Sequence, residues 1–274
     1  MRSTRVLITG VRGKTGVELA GLLRARPEVE VLGGSSRPGS VDLPGVVPTA
    51  FSWDDPTTFA AATDGAGAVF VVRPDRPDAP DLIGELVART PSSARLVLLS
   101  EQDADFTGPD GWAPRAEAAV REAGHAWTIL RPSWFMQVFT DPRFYGGRLA
   151  ETGVLDFPSE GARVAWVDAR DIAAVAERAL LDDGHAGAVH VITGPEALTL
   201  PRTAELLSES LGAPVRHSDV TVEEAVAGME GFERELTELT FARVRAGSFA
   251  PVSDTVERVT GRRARSLQEF LGSR

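Results

Sequence analysis

Short apolar runs alternate along this chain with stretches whose apolar residues recur every three or four positions. The two periods predict strands and amphipathic helices in turn. In the first half they place strands over 5–9, 29–34, 49–51, 68–72, 96–100 and 127–130. Helices are predicted over 14–26, 56–63, 81–89 and 114–123. Runs such as Ala68-Val69-Phe70-Val71-Val72 are apolar throughout, the mark of a strand covered on both faces. Strands of this kind separated by helices predict an α/β chain with a doubly wound parallel sheet, joined by right-handed crossovers. The second half is less regular. It predicts a strand over 164–167 and a helix over 168–181, with Asp168 as N-cap and Asp171 in the first turn. A strand over 188–193, a helix over 200–211 ended by Gly212, a largely helical 223–244 and a short helix over 266–271 follow. The stretch 139–153, with Gly146 and Gly147, reads as a glycine-rich loop, either a lid or pocket wall or a plain surface loop with Tyr145 packed sideways. No repeat, linker or low-complexity tract interrupts the chain. Residues 1–274 therefore read as one domain, with a small C-terminal lobe drawn mainly from 139–165 and 195–274.

The first strand breaks at once into Thr9-Gly10-Val11-Arg12-Gly13-Lys14-Thr15-Gly16, and a helix follows. A strand, a Gly-x-x-Gly-x-x-Gly turn and a helix, with a second strand close behind, form the context of a Rossmann dinucleotide site. Glycines there allow the tight turn, the approach of backbone to pyrophosphate, and close packing of helix on strand. The helix N-terminus faces the anion. An unliganded α/β turn is the alternative.

The formal net charge of −10 argues against a general nucleic-acid binder, which needs a basic face. The chain has no Cys, which removes disulfides, thiolate chemistry and Cys-ligated metal. No apolar run approaches the roughly 20 residues that span a bilayer. The first residues lead straight into strand one, so a cytoplasmic protein is expected. Lys14 is the one lysine of the chain and falls inside the glycine loop. His125, His185, His190 and His217 are scattered without metal-ligand spacing, and no metal is expected.

In an open α/β sheet, ligands meet the residues just beyond the strand ends. After the second strand comes Gly34-Ser35-Ser36-Arg37, where an NAD site would carry an Asp or Glu. Ser35 and Ser36 offer hydroxyls, and Arg37 offers a charged fork suited to the 2′-phosphate of NADP(H). Arg12 can reach the same phosphate. The alternative for Arg37 is a solvated loop residue. Asp54 either accepts from the adenine amine or caps the next helix, for which Asp55 is the better candidate. Val72 and Arg73 are expected along the central section of the cofactor, Ser100 near the nicotinamide, and Pro132 and Ser133 over it. Trp134, Phe135 and Met136 are expected to line an apolar pocket, with ordinary core packing claiming at least one of them.

These residues resemble the atypical short-chain dehydrogenase/reductases of the NmrA-like branch. The resemblance runs over nearly the whole chain. It is carried by Thr9-Gly10-x-x-Gly13-Lys14-Thr15-Gly16, by Trp127-Thr128-Ile129-Leu130-Arg131-Pro132-Ser133-Trp134-Phe135-Met136, by Val167-Asp168-x-x-Asp171-Ile172-Ala173 and by Thr193-Gly194-Pro195-Glu196-Ala197-Leu198-Thr199. Gly-Lys-Thr-Gly and Arg-Pro-Ser-Trp-Phe-Met are most similar to the reductases of ergot-alkaloid iminium closure and their bacterial relatives. The resemblance implies an NADP-binding Rossmann domain with a small substrate lobe. Typical members of the wider superfamily use a Ser and a Tyr-x-x-x-Lys pair, the Tyr acting as acid and the Lys lowering its pKa. This chain lacks that pair. Its one tyrosine, Tyr145, precedes Gly146-Gly147-Arg148-Leu149, and only Ser100 stands where the family's Ser would. Arg115 replaces the Lys as a ribose or phosphate contact at most, because a guanidinium is no general acid.

Three readings follow. The first is an NADPH-dependent reductase of a small, apolar, polycyclic ketone, quinone or iminium, a ketoreductase or imine reductase of antibiotic-type biosynthesis. The triad-less ketoreductases of angucyclinone-type polyketides are similar. Ser100 and Tyr145 are its candidate catalytic residues. The second is an NADP(H)-sensing regulatory protein without turnover. The third is a non-redox isomerase or cyclase. The expected partner is the small-molecule substrate, with neither nucleic acid nor membrane, in a monomer or homodimer.

Overall fold

The computed structural model describes residues 3–273. The chain forms two compact units. One comprises the residues up to Arg131 together with Ile172–His190, the other Pro132–Asp171 together with the chain from Val191 onward.

In the first unit the elements run β1 (Thr4–Ile8), α1 (Lys14–Leu23), β2 (Val29–Ser35), β3 (Val46–Ala50), α2 (Phe59–Thr63), β4 (Ala68–Val72), α3 (Ala79–Arg89), β5 (Arg95–Leu99), α4 (Trp112–Arg121) and β6 (Ala126–Pro132). The order across the sheet is β3-β2-β1-β4-β5-β6, extended beyond β6 by a strand from later in the chain. Each neighbouring pair from β3 to β6 is parallel. This is the predicted doubly wound arrangement, with the chain reversing direction across the sheet between β1 and β4. Leu7 packs with Ile83 and Leu86 of α3 on one face, while Val6 and Ile8 on the opposite pleat are equally buried. Burial on both faces is why the strand segments are apolar throughout. The predicted strand over 49–51 lies earlier, because Val46 to Ala50 pair with Val31 to Ser35 of β2. The predicted helix over 56–63 splits into a 3₁₀ turn, Pro56–Thr58, and α2.

After β6 the chain continues through α5 (Tyr145–Thr152), β7 (Val154–Asp156), β8 (Arg163–Val164), α6 (Ala169–Leu181), β9 (Ala188–Ile192), β10 (Leu198–Thr199), α7 (Leu200–Leu211), β11 (Arg216–Ser218), α8 (Val222–Ala225), α9 (Gly231–Arg245), α10 (Thr255–Thr260) and α11 (Leu267–Gly272), with most of α6 and of β9 belonging to the first unit and the rest to the second. β9 is the added edge strand of the large sheet. β8 pairs antiparallel with β10, and β11 pairs parallel with β7. The core of this unit is aromatic, built on Trp166, Phe157, Phe139 and Phe241. As expected, Asp168 caps α6: its Oδ1 accepts the Arg170 N–H at 2.9 Å.

Three expectations for this half are corrected. The segment 139–153 is not a loop, because Tyr145–Thr152 is α-helical. Its glycines serve close packing: a Cβ on Gly146 would lie 2.8 Å from the carbonyl carbon of Thr140, and one on Gly147 would lie 2.9 Å from the Pro142 oxygen. The strand over 164–167 shortens to a two-residue pairing, since β10 offers only Leu198 and Thr199 as partners. The helical stretch over 223–244 is broken between α8 and α9, where Gly228 and Gly231 take positive φ. Among the described residues, no helix is long and apolar enough to cross a membrane.

Candidate functional site

The glycine loop joins β1 to α1. Gly10 turns the chain, and its carbonyl accepts the Gly13 N–H at 2.9 Å. Gly13 is extended at the N-cap of α1, and no side chain caps this helix. Its first N–H groups are therefore open to an anion, with no acidic residue in the first turn to compete. At Gly16 a Cβ would stand 2.1 Å from the Gly10 oxygen, so only glycine allows this closure. Thr15 is buried, and its Oγ1 has no hydrogen-bond partner. Arg12 is exposed and Lys14 half-buried beside it. An uncapped helix start, a backbone cradle without Cβ atoms and an orphaned hydroxyl together suit a pyrophosphate.

At the end of β2 the Ser35 Oγ is buried and accepts the Arg37 N–H at 3.1 Å. That bond shapes the turn and leaves the Ser36 and Arg37 side chains exposed. Asp55 caps the Pro56 turn, accepting from Thr57 N–H at 3.2 Å, while the Asp54 carboxylate takes the Arg76 guanidinium at 2.6 Å. Val72 ends β4 with its N–H on Thr9 Oγ1 at 2.8 Å. A Cβ on Gly10 would stand 3.1 Å from the Val72 side chain, which places the β4 end against the glycine loop.

Arg73 follows. Its side chain is 7% exposed, and its Nη2 pairs with Glu101 at 2.9 Å. The guanidinium lies 3.8 Å over the Trp112 ring, and its Nε and Nη1 are buried without acceptors. Arg115, the stand-in for the family lysine, is exposed and reaches Asp81 at 3.5 Å, a pair worth little in solvent.

Ser100 lies just beyond β5 and is buried. Its Oγ donates to Glu117 Oε1 at 2.7 Å. Glu117 belongs to α4 and its side chain is 0% exposed. Arg131 of β6 grips the same carboxylate through Nε at 2.8 Å and Nη2 at 2.7 Å. Arg131 also reaches Asp105 at 2.6 Å. The bonds to Glu117 push the Arg131 pKa up, and the Arg131 bond holds Asp105 below its usual range. The sequence reading missed Glu117. Its signal was there: it follows Ala113 and Ala116 and precedes Val120 on the apolar face of α4, a carboxylate in a core-facing position.

In the second unit, Pro132 closes β6 and Ser133 is buried, with its N–H on the Ile192 oxygen at 2.9 Å and its Oγ without a partner. Trp134 is half-buried in an aromatic nest: it stacks on Trp166 at 5.7 Å and meets Phe157 edge-on at 4.7 Å. Phe135 is half-buried and bridges to Val167. Met136 is fully packed in the core. Tyr145 packs on Phe157 at 5.8 Å and Phe139 at 6.2 Å. Burial, with the Asp156 charge, pushes its phenol pKa well up. Among the described residues no cluster of three or more His, Asp or Glu could hold a metal ion.

Residues 113–271 match the model of the NmrA-like family. The chain belongs to the NmrA-like family. It is 33% identical to an NAD(P)H azoreductase of Xenophilus azovorans, over 97% of this chain and 96% of that one. An agroclavine dehydrogenase of Claviceps fusiformis is 30% identical, over 97% of this chain and 96% of its own length. Of the solved structures, an NADPH-dependent quinone oxidoreductase of Escherichia coli with bound NADPH superposes with a TM-score of 0.81 at 20% identity, covering 98% of this chain and 99% of that one. The fold expected for an NmrA-like protein is thus the fold observed.

Proposed function

We propose that this NmrA-like chain is an NADPH-dependent reductase of a small, apolar, aromatic or polycyclic acceptor. The observation that carries the reading is the Gly10–Gly16 cradle at the uncapped start of α1, with the orphaned Thr15 hydroxyl inside it. The azoreductase and agroclavine dehydrogenase relatives, similar over nearly their whole lengths, support redox use of that cradle. When bound, NADPH supplies the hydride. Gly13, Lys14, Thr15 and the first N–H groups of α1 hold the pyrophosphate, while Gly10 and Gly16 let the backbone close around it. Arg37, Ser36 and Arg12 hold the 2′-phosphate, Ser35 shapes the turn that presents Arg37, and Asp54 borders the adenine. Val72, Arg73, Arg115, Pro132 and Ser133 complete the cofactor contacts.

The acceptor is a ketone, quinone or iminium of secondary metabolism. Trp134 and Phe135 meet its rings, and Met136 backs them from the core. Tyr145 contributes a ring wall. With no Tyr-x-x-x-Lys pair, the residues work by holding donor and acceptor in register and by excluding water. An iminium needs no proton, because hydride on its carbon gives the neutral amine directly, and a phenol-flanked ketone can supply the proton that its oxygen takes.

The test is NADPH consumption by the purified chain with a cyclic iminium, a naphthoquinone, an azo dye and a polycyclic ketone in turn. Acceptor-dependent consumption is expected. Tight NADPH binding without consumption on any of them favours the sensor reading instead.

A further inference from the structure

Ser100 stands where a short-chain reductase keeps a hydroxyl that donates to substrate. Its own surroundings run the other way. A carboxylate offers about four acceptor positions, two on each oxygen. On Glu117 all are taken. Oε1 receives the Ser100 hydroxyl at 2.7 Å and Arg131 Nε at 2.8 Å. Oε2 receives Arg131 Nη2 at 2.7 Å and Arg121 Nη2 at 2.8 Å. Three of these donors belong to guanidinium groups, which cannot turn round and accept. With every acceptor position filled by a donor, the Ser100 proton lies on the line to Oε1. Arg131 is itself fixed by Asp105 through Nη1 at 2.6 Å and Nη2 at 3.0 Å. The β5 end, α4 and β6 thus fix the polarity of one hydroxyl.

We propose that Ser100 is a hydrogen-bond acceptor toward the bound ligand, and that it selects an N–H or O–H donor there. Glu117 and Arg131 are positioning residues that commit its proton. Ser100 then delivers no proton to the acceptor; where hydride reaches a carbonyl carbon, the oxygen takes its proton from water or from a hydroxyl of the acceptor. This rests on the cofactor reading above, since Ser100 meets a ligand only if the strand ends hold one. The donor has two available sources: the carboxamide N–H of the nicotinamide, or a hydroxyl on the acceptor.

Two ligand pairs separate the sources. NADPH and its reduced 3-acetylpyridine analogue, which lacks the amide N–H, are titrated into the full-length protein by fluorescence. 2-Naphthol and 2-methoxynaphthalene are titrated into the NADP⁺-loaded protein. The expected result is a preference of about fivefold for the donor-bearing member of one pair, the worth of one ordinary hydrogen bond. Ser100→Ala removes that preference and Ser100→Thr keeps it. Glu117→Gln, which replaces an acceptor oxygen by a donor, lowers the same ratio, and a loss of stability alone would not. NADPH binding without discrimination in either pair overturns the proposal and leaves the cofactor reading standing. A preference that survives Ser100→Ala overturns it as well. A wild-type protein that binds no NADPH overturns both, and it does so before any variant is made.

Discussion

Single atoms decide most of the candidate site. Gly16 is the plainest case: an alanine Cβ would sit 2.1 Å from the Gly10 oxygen, backbone against backbone, with no flexible side chain to yield. Gly16→Ala is expected to weaken NADPH binding about tenfold or more in a fluorescence titration. Arg37 is exposed and unburdened by any ion pair among the described contacts, which suits a residue waiting for a phosphate. Arg37→Asp should cost about tenfold more affinity for NADPH than for NADH; equal losses count against the 2′-phosphate contact. Tyr145 carries a pH prediction. Burial raises its folded pKa above the ordinary value of 10.0. The folded state therefore holds a proton that the unfolded chain releases. Stability is intact below that value and falls as pH rises past it. Thermal melting above pH 10 should show a fall that Tyr145→Phe reduces. The same substitution should leave reduction within about threefold of wild type, because a working general acid contributes roughly a hundredfold or more. Glu117 shows what the sequence concealed at this scale. Its apolar-face position marked it as unusual, but Ser100 and Arg131 come from the end of β5 and from β6, and only the folded sheet brings them to it.

At the scale of elements, strands were legible where both faces are buried, because continuous apolar runs leave little choice of period. β1, β2, β4, β5 and β6 all fall within a few residues of their predicted bounds. The short pairings β7–β11 and β8–β10 were not, since two or three residues carry no period and their partners lie far along the chain. α5 failed for a different reason. Gly146 and Gly147 signal a loop by propensity, yet here they let the helix lie against the backbone of Thr140 to Pro142. Gly146→Ala tests this. Helix propensity alone would make it stabilising by about 1 kcal/mol, whereas the close approach predicts a loss of stability in urea unfolding. The buried Glu117 carboxylate ties α4 to β6 through Arg131. Glu117→Ala leaves the Arg131 guanidinium, 12% exposed, without its main partner. Unfolding by urea should register a loss of about 3 kcal/mol, the range for breaking rather than replacing a buried pair.

For the whole molecule, the fold class, the family and the glycine turn between β1 and α1 were readable because each is set by local pattern and spacing. The acceptor was not, because ring contacts such as Trp134 on Trp166 and Phe157 unite residues far apart in sequence. The chain is expected to turn over NADPH rather than only bind it. The most direct measurement is the loss of nicotinamide absorbance when purified protein and NADPH meet each of the azo dye, naphthoquinone, cyclic iminium and polycyclic ketone. Consumption is expected to require the acceptor, to saturate with it and, at limiting NADPH, to fall about tenfold or more in Gly16→Ala. Tight NADPH binding with no acceptor-dependent consumption in any of the four would contradict it.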